Sequence, residues 1–280
     1  MRYSINLPNF GELSDPRTVA DLAVAAEEAG WDGFFVWDHV NHRGFGGRPY
    51  GDPWILLAAA GMVTTRLTLG PLITPVARRR PGKLAREITT LDTLTGGRVI
   101  FGAGLGAPIE DEFGSFGEPT DLKVIASRLD EGLAALSLLL SGKPVSYHGE
   151  HITIDDVQLL PARQVPVWVA GRWPTKAPFR RAARWDAAVP LFPGYRDQTP
   201  PVAADVRDLA AFVASCRAEE GRDGPFELVV GGRSGDRARD VVARLADAGA
   251  TWWDERVPFD DTLDKADTYR RLIEQGPPRI

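Results

Sequence analysis

Short apolar runs alternate with longer segments of helical periodicity along the whole chain. Tyr3–Leu7 is such a run, closed by Pro8 and Gly11. Behind it, Ser14 or Asp15 is placed to cap a helix with Pro16 in its first turn. Val19, Leu22, Ala23, Ala26 and Ala29 give that helix one apolar stripe, and Gly30 stops it. Gly33–Trp37 is the next run, too short for a helix. The unit recurs: a helix from Pro53 through Thr64, a strand Leu67–Ile73, a helix Leu84–Leu94 ended by Gly96 and Gly97, and a strand Val99–Ala103. A long loop rich in Gly, Pro and acids then runs to Pro119, before a helix Lys123–Leu140. Four more strands are expected at Val165–Ala170, Ala187–Leu191, Phe226–Gly231 and Thr251–Val257. Their helices fall at Thr175–Arg184, Ala204–Ala218, Ala238–Ala248 and Leu263–Gln275.

Apolar strands separated by helices imply a parallel sheet covered by helices. Eight such units predict one α/β domain over residues 1–280, a (β/α)₈ TIM barrel. Val145–Thr153 departs from the rhythm. It alternates with period two around Gly149 and predicts a β-hairpin inserted before strand five.

Composition narrows the partners. A single cysteine, Cys216, excludes an intramolecular disulfide framework and a cysteine-based metal site. A net charge of −5 with no long basic run speaks against nucleic acid or a membrane surface. No apolar stretch is long enough to span a bilayer, and the start lacks the features of a signal peptide. A soluble cytoplasmic protein acting on a small molecule is the expectation.

A barrel of this kind carries its chemistry on the loops that follow its strands. After strand two come Asp38, His39, Asn41 and His42; after strand three, Thr74, Pro75 and Arg78, Arg79 and Arg80; after strand four, Gly102, Gly104 and Gly106; after strand five, Gly171, Arg172 and Trp173. His39 is the most informative, because an imidazole exchanges protons near neutral pH. It also fits a loop histidine that only packs. Asp38, His39 and His42 offer three metal ligands, but no acid or histidine cluster at the other strand ends completes such a centre, so no metal is expected. The Gly102–Gly106 run is not a dinucleotide loop, since Pro108 and an acidic, aromatic segment follow it where a helix would have to open. Its glycines suit close approach to a flat ligand, or simply a mobile loop. The three arginines suit an anion clamp or a solvated face. Trp37, Trp168 and Trp173 fall where they could wall an apolar pocket.

Four stretches then carry a resemblance: Leu69–Pro75, Arg80–Glu87, Leu91–Arg98 and Gly102–Gly106, supported by Glu27–Gly33 and Trp168–Gly171. Through them the chain resembles the bacterial-luciferase-like flavin- or deazaflavin-dependent oxidoreductases, from strand one to about Pro190. Trp37–Val40 is similar to the branch that uses the deazaflavin coenzyme F420. The resemblance implies hydride transfer between reduced F420 and a small organic substrate, with His39 as proton carrier and Asp38 at the polar edge of the ring. It implies a bulged third strand with a non-proline cis peptide at Leu72–Ile73 backing the ring. Thr74, Gly104 and Gly106 would lie beside it, and Ala170 and Gly171 towards the coenzyme phosphate. A homodimer is also implied. FMN with a monooxygenase reaction is the alternative, and a non-catalytic flavin-binding protein is a third. Ala107 stands where the family's sugar-phosphate dehydrogenases carry a glutamate, which speaks against a sugar-phosphate substrate.

Overall fold

The computed structural model describes residues 1–235 and 238–280. Eleven strands and nine helices are formed among the described residues. The first barrel strands are β1 (Arg2–Leu7), β2 (Gly33–Val36), β3 (Thr68–Pro71) with its continuation β4 (Thr74–Pro75), and β5 (Phe101–Gly104). After the hairpin β6 (Val145–His148) and β7 (Thr153–Val157) come β8 (Val167–Arg172), β9 (Ala187–Leu191), β10 (Glu227–Gly232) and β11 (Trp252–Glu255). All barrel pairs are parallel, in the order β3-β2-β1-β11-β10-β9-β8-β5-β4. The ring closes because Leu69 exchanges backbone hydrogen bonds of 2.9 and 2.8 Å with Arg98 and Ile100, just ahead of β5. The expected eight-stranded barrel is therefore formed, with its third strand in two pieces.

The helices are α1 (Pro16–Glu28), α2 (Pro53–Val63), α3 (Pro81–Thr95), α4 (Ile109–Glu112), α5 (Leu122–Leu140), α6 (Ala177–Ala182), α7 (Ala203–Glu219), α8 (Ala238–Asp247) and α9 (Ala266–Glu274). The caps follow the chemistry of the chain. Asp15 accepts the Thr18 N–H, Asp52 the N–H groups of Trp54 and Ile55, and Asp121 those of Lys123 and Val124. Gly96, with φ of 69°, ends α3 in the left-handed conformation that a side chain would resist. Α3 starts at Pro81, earlier than the apolar pattern suggested, because proline fixes the first turn before the first buried residue, Leu84. The expected long loop after strand four contains α4, which is too short to show a period.

Alternation along the strands divides the core in two. Odd residues of β1 and their counterparts pack outward under the helices. Inside the barrel Phe35, Trp168 and Trp252 meet at ring-centroid distances of 5.2–6.1 Å, with Leu72, Ile100, Val189 and Val229 around them. Trp168 is thus a plug of the barrel rather than a pocket wall, being the second residue of its strand and not the last. Trp173 likewise packs on Phe179 and Phe212 beneath α6 and α7. The hairpin forms around the expected turn, but its second strand starts at Thr153 and runs to Val157, beyond the expected Val145–Thr153 span, because Glu131 of α5 accepts the backbone N–H groups of Glu150, His151 and Ile152 and holds them as the turn.

Glu27 at the end of α1 does the same for the approach to β3. Its carboxylate accepts the N–H groups of Thr65, Arg66 and Leu67 at 2.7–3.1 Å. Partial burial pushes its pKa up, but those N–H donors outweigh burial and lower it to about 2. A depressed carboxylate stabilises the fold above its unfolded value and loses that contribution as pH falls through the folded one. Glu27→Gln is expected to lower stability by about 1–2 kcal/mol at pH 7, as for a lost charged acceptor. Urea midpoints should show the gap narrowing as pH falls from the ordinary carboxylate range towards about 2, where native Glu27 is half protonated.

Candidate active site

The carboxyl ends of the strands form the barrel mouth. Its floor is apolar and low. Ile73 and Ala170 lie partly exposed on the interior cluster. Gly102 and Gly104 allow the broken third strand to press against β5: a Cβ at position 102 would lie 2.2 Å from the Pro71 carbonyl oxygen, and one at 104 would lie 2.7 Å from Ile73 Cδ1. The Leu72–Ile73 peptide is cis, as the sequence resemblance implied. Gly106 packs on Pro75 with φ of 84°.

At the same end of the barrel stands His39, three residues beyond β2. Asn9 fixes its backbone from both sides, with Nδ2 donating 2.8 Å to the His39 carbonyl and Oδ1 accepting the His39 N–H at 3.1 Å. The ring bonds through Nδ1 to Glu112 Oε1 at 2.7 Å. Its side chain is 18% exposed, whereas that of Glu112 is fully buried. Trp37, His42 and Phe45 surround the ring, and Phe259 stacks on Trp37 at 5.5 Å. Of the three tryptophans considered from sequence, Trp37 alone packs on the His39 ring among the described residues. His42 has its pKa lowered by burial and by the neighbouring His39.

Asp38 faces the opposite way along the chain's alternation and is enclosed. It accepts from Thr74 Oγ1 at 2.8 Å, from Arg78 and from both carboxylate oxygens' partner Arg79 at 2.9 Å. Burial raises its pKa, but the charges of Arg78 and Arg79 outweigh burial and hold it below the ordinary carboxylate value. Arg78 also donates 2.7 Å to Glu112 Oε2 and 2.7 Å to the Asp38 carbonyl. Arg78 and Arg79 are therefore internal counter-ions, neither a solvated face nor a free clamp; only Arg80 of the three is exposed. The ion pairs also occupy Asp38 as a ligand. The one group of metal-ligating atoms that converges among the described residues is Glu131, Glu150 and His151, the capped hairpin turn.

Sequence reasoning missed Glu112 and Asp111. Asp111 accepts the Arg43 N–H at 2.8 Å, so the short helix α4 grips the loop after β2 at two points. No sequence signal separated these two buried acids from the exposed Glu110 beside them. Gly171 faces α6, since a Cβ there would lie 2.2 Å from Pro178. The turn that follows presents exposed Arg172 and Lys176, with Lys176 Nζ 3.7 Å from the Trp173 ring centroid. Deeper in the barrel, Asp254 binds Ser4, Asn6 and Arg256 at 2.8–3.3 Å, and the Asn6 Oδ1 has no hydrogen-bond partner among the described residues.

Comparison with known proteins agrees with this architecture. A family model described as luciferase-like monooxygenase matches residues 1–233. An F420-dependent glucose-6-phosphate dehydrogenase of Nakamurella multipartita is 34% identical over 178 residues, covering 61% of this chain and 50% of that protein. The chain thus spans about half the length of such relatives. An uncharacterized protein of Mycobacterium tuberculosis is 30% identical over 248 residues, covering 82% of this chain and 81% of its own. Among solved structures, the coenzyme F420-dependent tetrahydromethanopterin reductase of Methanopyrus kandleri superposes with a TM-score of 0.77 at 17% identity, covering 99% of this chain and 98% of that one. The monooxygenase RslO1 of Streptomyces bottropensis superposes with a TM-score of 0.76 at 20% identity, covering 98% of each chain. By fold, motif and extent of match, the chain belongs to the luciferase-like monooxygenase family.

Proposed function

We propose that the protein is an oxidoreductase that transfers a hydride between coenzyme F420 and a small organic substrate, with His39 carrying the accompanying proton. One observation carries the reading: an imidazole held at Nδ1 by Glu112, with no hydrogen bond at Nε2 among the described residues, follows β2 at the same end of the barrel as the part-exposed apolar residues Ile73 and Ala170. When bound, the coenzyme supplies the hydride. A flat ring would rest on Ile73, whose side chain fills the space a Cβ at Gly104 would take, and beside Ala170, which carries only a methyl group. Leu72, Ile73 and Thr74 would back the ring, and Gly106 would keep the loop after β5 clear of it. The Ala170–Gly171 strand end, with Arg172 and Lys176 on the next turn, would take the phosphate arm.

His39 then does one task. With Nδ1 committed to Glu112, its Nε2 holds or accepts the proton of a substrate oxygen or carbon at the mouth. Asn9 fixes the backbone of this residue, so the ring has little freedom to leave. Asp38 serves from below: tied to Thr74, Arg78 and Arg79, it locks the end of β2 to the third strand and so fixes the segment that carries His39. Among the FMN-bound structures of this fold is the oxygenating constituent of 3,6-diketocamphane monooxygenase from Pseudomonas putida, with a TM-score of 0.73 and 15% identity. FMN is accordingly the competing ligand in the test. Titration of the protein with F420 and with FMN, followed by fluorescence, is expected to give saturable binding of F420 at one per chain and at least about tenfold weaker binding of FMN, a difference of about 1.4 kcal/mol. Tighter binding of FMN would overturn the choice of coenzyme.

A further inference from the structure

The proton carrier of the preceding section is held by groups that do not touch the mouth. Glu112 Oε1 meets His39 Nδ1 at 2.7 Å, and Glu112 Oε2 meets Arg78 Nη1 at 2.7 Å. The same Arg78 donates through Nη2 to the Asp38 carbonyl and carboxylate. The side chains of Glu112 and Asp38 are 0% and 2% exposed, so the carboxylates of this chain are closed to water, while those of Arg78 and His39 are 11% and 18% exposed. Glu112 lies on α4 and Arg78 beyond β4, so the chain of contacts joins three successive βα loops behind one imidazole.

We propose that Glu112, held by Arg78, is a positioning residue that fixes His39 as the Nδ1–H tautomer and thereby makes Nε2 its proton-exchanging atom. The argument is one of donors and acceptors. An ionised carboxylate only accepts, so the ring nitrogen facing it must carry a proton. Arg78 only donates and takes the second oxygen, which prevents the carboxylate from turning over. A neutral imidazole in water favours neither tautomer decisively, and the identity of the protonated nitrogen is set by the bond the other one makes. Here that bond is buried. The inference rests on the proposed role of His39 only for its consequence on turnover; the tautomer itself is a property of the resting protein.

Glu112→Gln makes the proposal sharp. A glutamine has one acceptor oxygen and one donor NH₂. Arg78 has no lone pair, so it claims the oxygen in a charge-assisted bond. The NH₂ is then turned to His39, which must accept at Nδ1 and carry its proton on Nε2. The substitution therefore inverts the tautomer instead of merely loosening it. Nitrogen-15 NMR of histidine-labelled protein reads this directly, on the high-pH plateau of the ring shifts. The chain has 4 histidines, and a His39→Asn variant identifies the signals. In the unsubstituted protein the shifts are expected to show His39 predominantly protonated at Nδ1. In Glu112→Gln they should show it predominantly protonated at Nε2, with turnover reduced at least about tenfold and the coenzyme Kd within about threefold. Glu112→Asp, which keeps an acceptor-only group, should restore the Nδ1–H signature. An Nε2–H signature in the unsubstituted protein overturns the proposal without any variant needing to fold. So does an unchanged tautomer in folded Glu112→Gln. Inversion of the tautomer with turnover unaffected supports the positioning and instead removes His39 from the reaction.

Discussion

Replacing Arg78 by alanine is expected to destabilise the protein by about 3–5 kcal/mol, the usual cost of stranding a buried charge. Arg78 is the shared counter-ion of two buried carboxylates. Asp38 keeps Arg79 after the substitution, but Glu112 keeps no guanidinium and only the His39 ring, so most of the loss falls on Glu112 and on α4. Chemical denaturation with an unchanged m-value would measure it. Arg80→Ala supplies the comparison, since Arg80 is exposed and its removal should change stability by no more than about 0.5 kcal/mol. The sign of the pH dependence follows from Asp38. Its folded pKa is held below the ordinary value, so its share of the stability is present above the ordinary carboxylate range and is lost as pH falls through the folded value. The gap between Arg78→Ala and the native protein should therefore narrow in acid. Equal losses for Arg78→Ala and Arg80→Ala would mean that the arginine run is a solvated face after all.

The second large effect is on turnover. His39→Ala is expected to slow the reaction by about 10²–10⁴, the range for removal of a general acid or base, while the coenzyme Kd changes by less than about threefold. The assay follows reoxidation of reduced F420 with whichever acceptor the native protein uses from a panel of small ketones, aldehydes and activated alkenes. A split of this kind separates proton transfer from binding. Unchanged turnover would take His39 out of the mechanism; a parallel loss of coenzyme affinity would make the imidazole a binding contact.

The barrel was legible in the chain because its signals are periodic. Apolar runs flanked by glycine and proline gave all eight barrel strands, and Gly96 and Gly249 marked helix ends through their conformational freedom. His39 was legible for a different reason: a titratable ring directly after a strand falls at the mouth in this topology. What stayed hidden has no period. Α4 is a helix of 4 residues, in which the buried acids Asp111 and Glu112 follow Glu110 with nothing to distinguish them. Their burial is decided by partners far away in sequence, Arg43 from the loop after β2 and Arg78 from the turn after the third strand. The arginine run was ambiguous for the same reason, since an arginine beside a buried carboxylate and one facing water have the same neighbours in the chain. Trp168 and Trp173 sit close to a strand end in sequence, yet alternation turns one into the barrel and helix packing covers the other.

A crystal structure of the protein with oxidised F420 tests the central claim most directly. The account predicts tricyclic density across the barrel mouth, in contact with Ile73 and Gly104, with His39 Nε2 on its open side and within about 4 Å of the ring or a bridging water. Density for the ring elsewhere on the molecule, or at the mouth with the imidazole turned away and its bond to Glu112 broken, would contradict it.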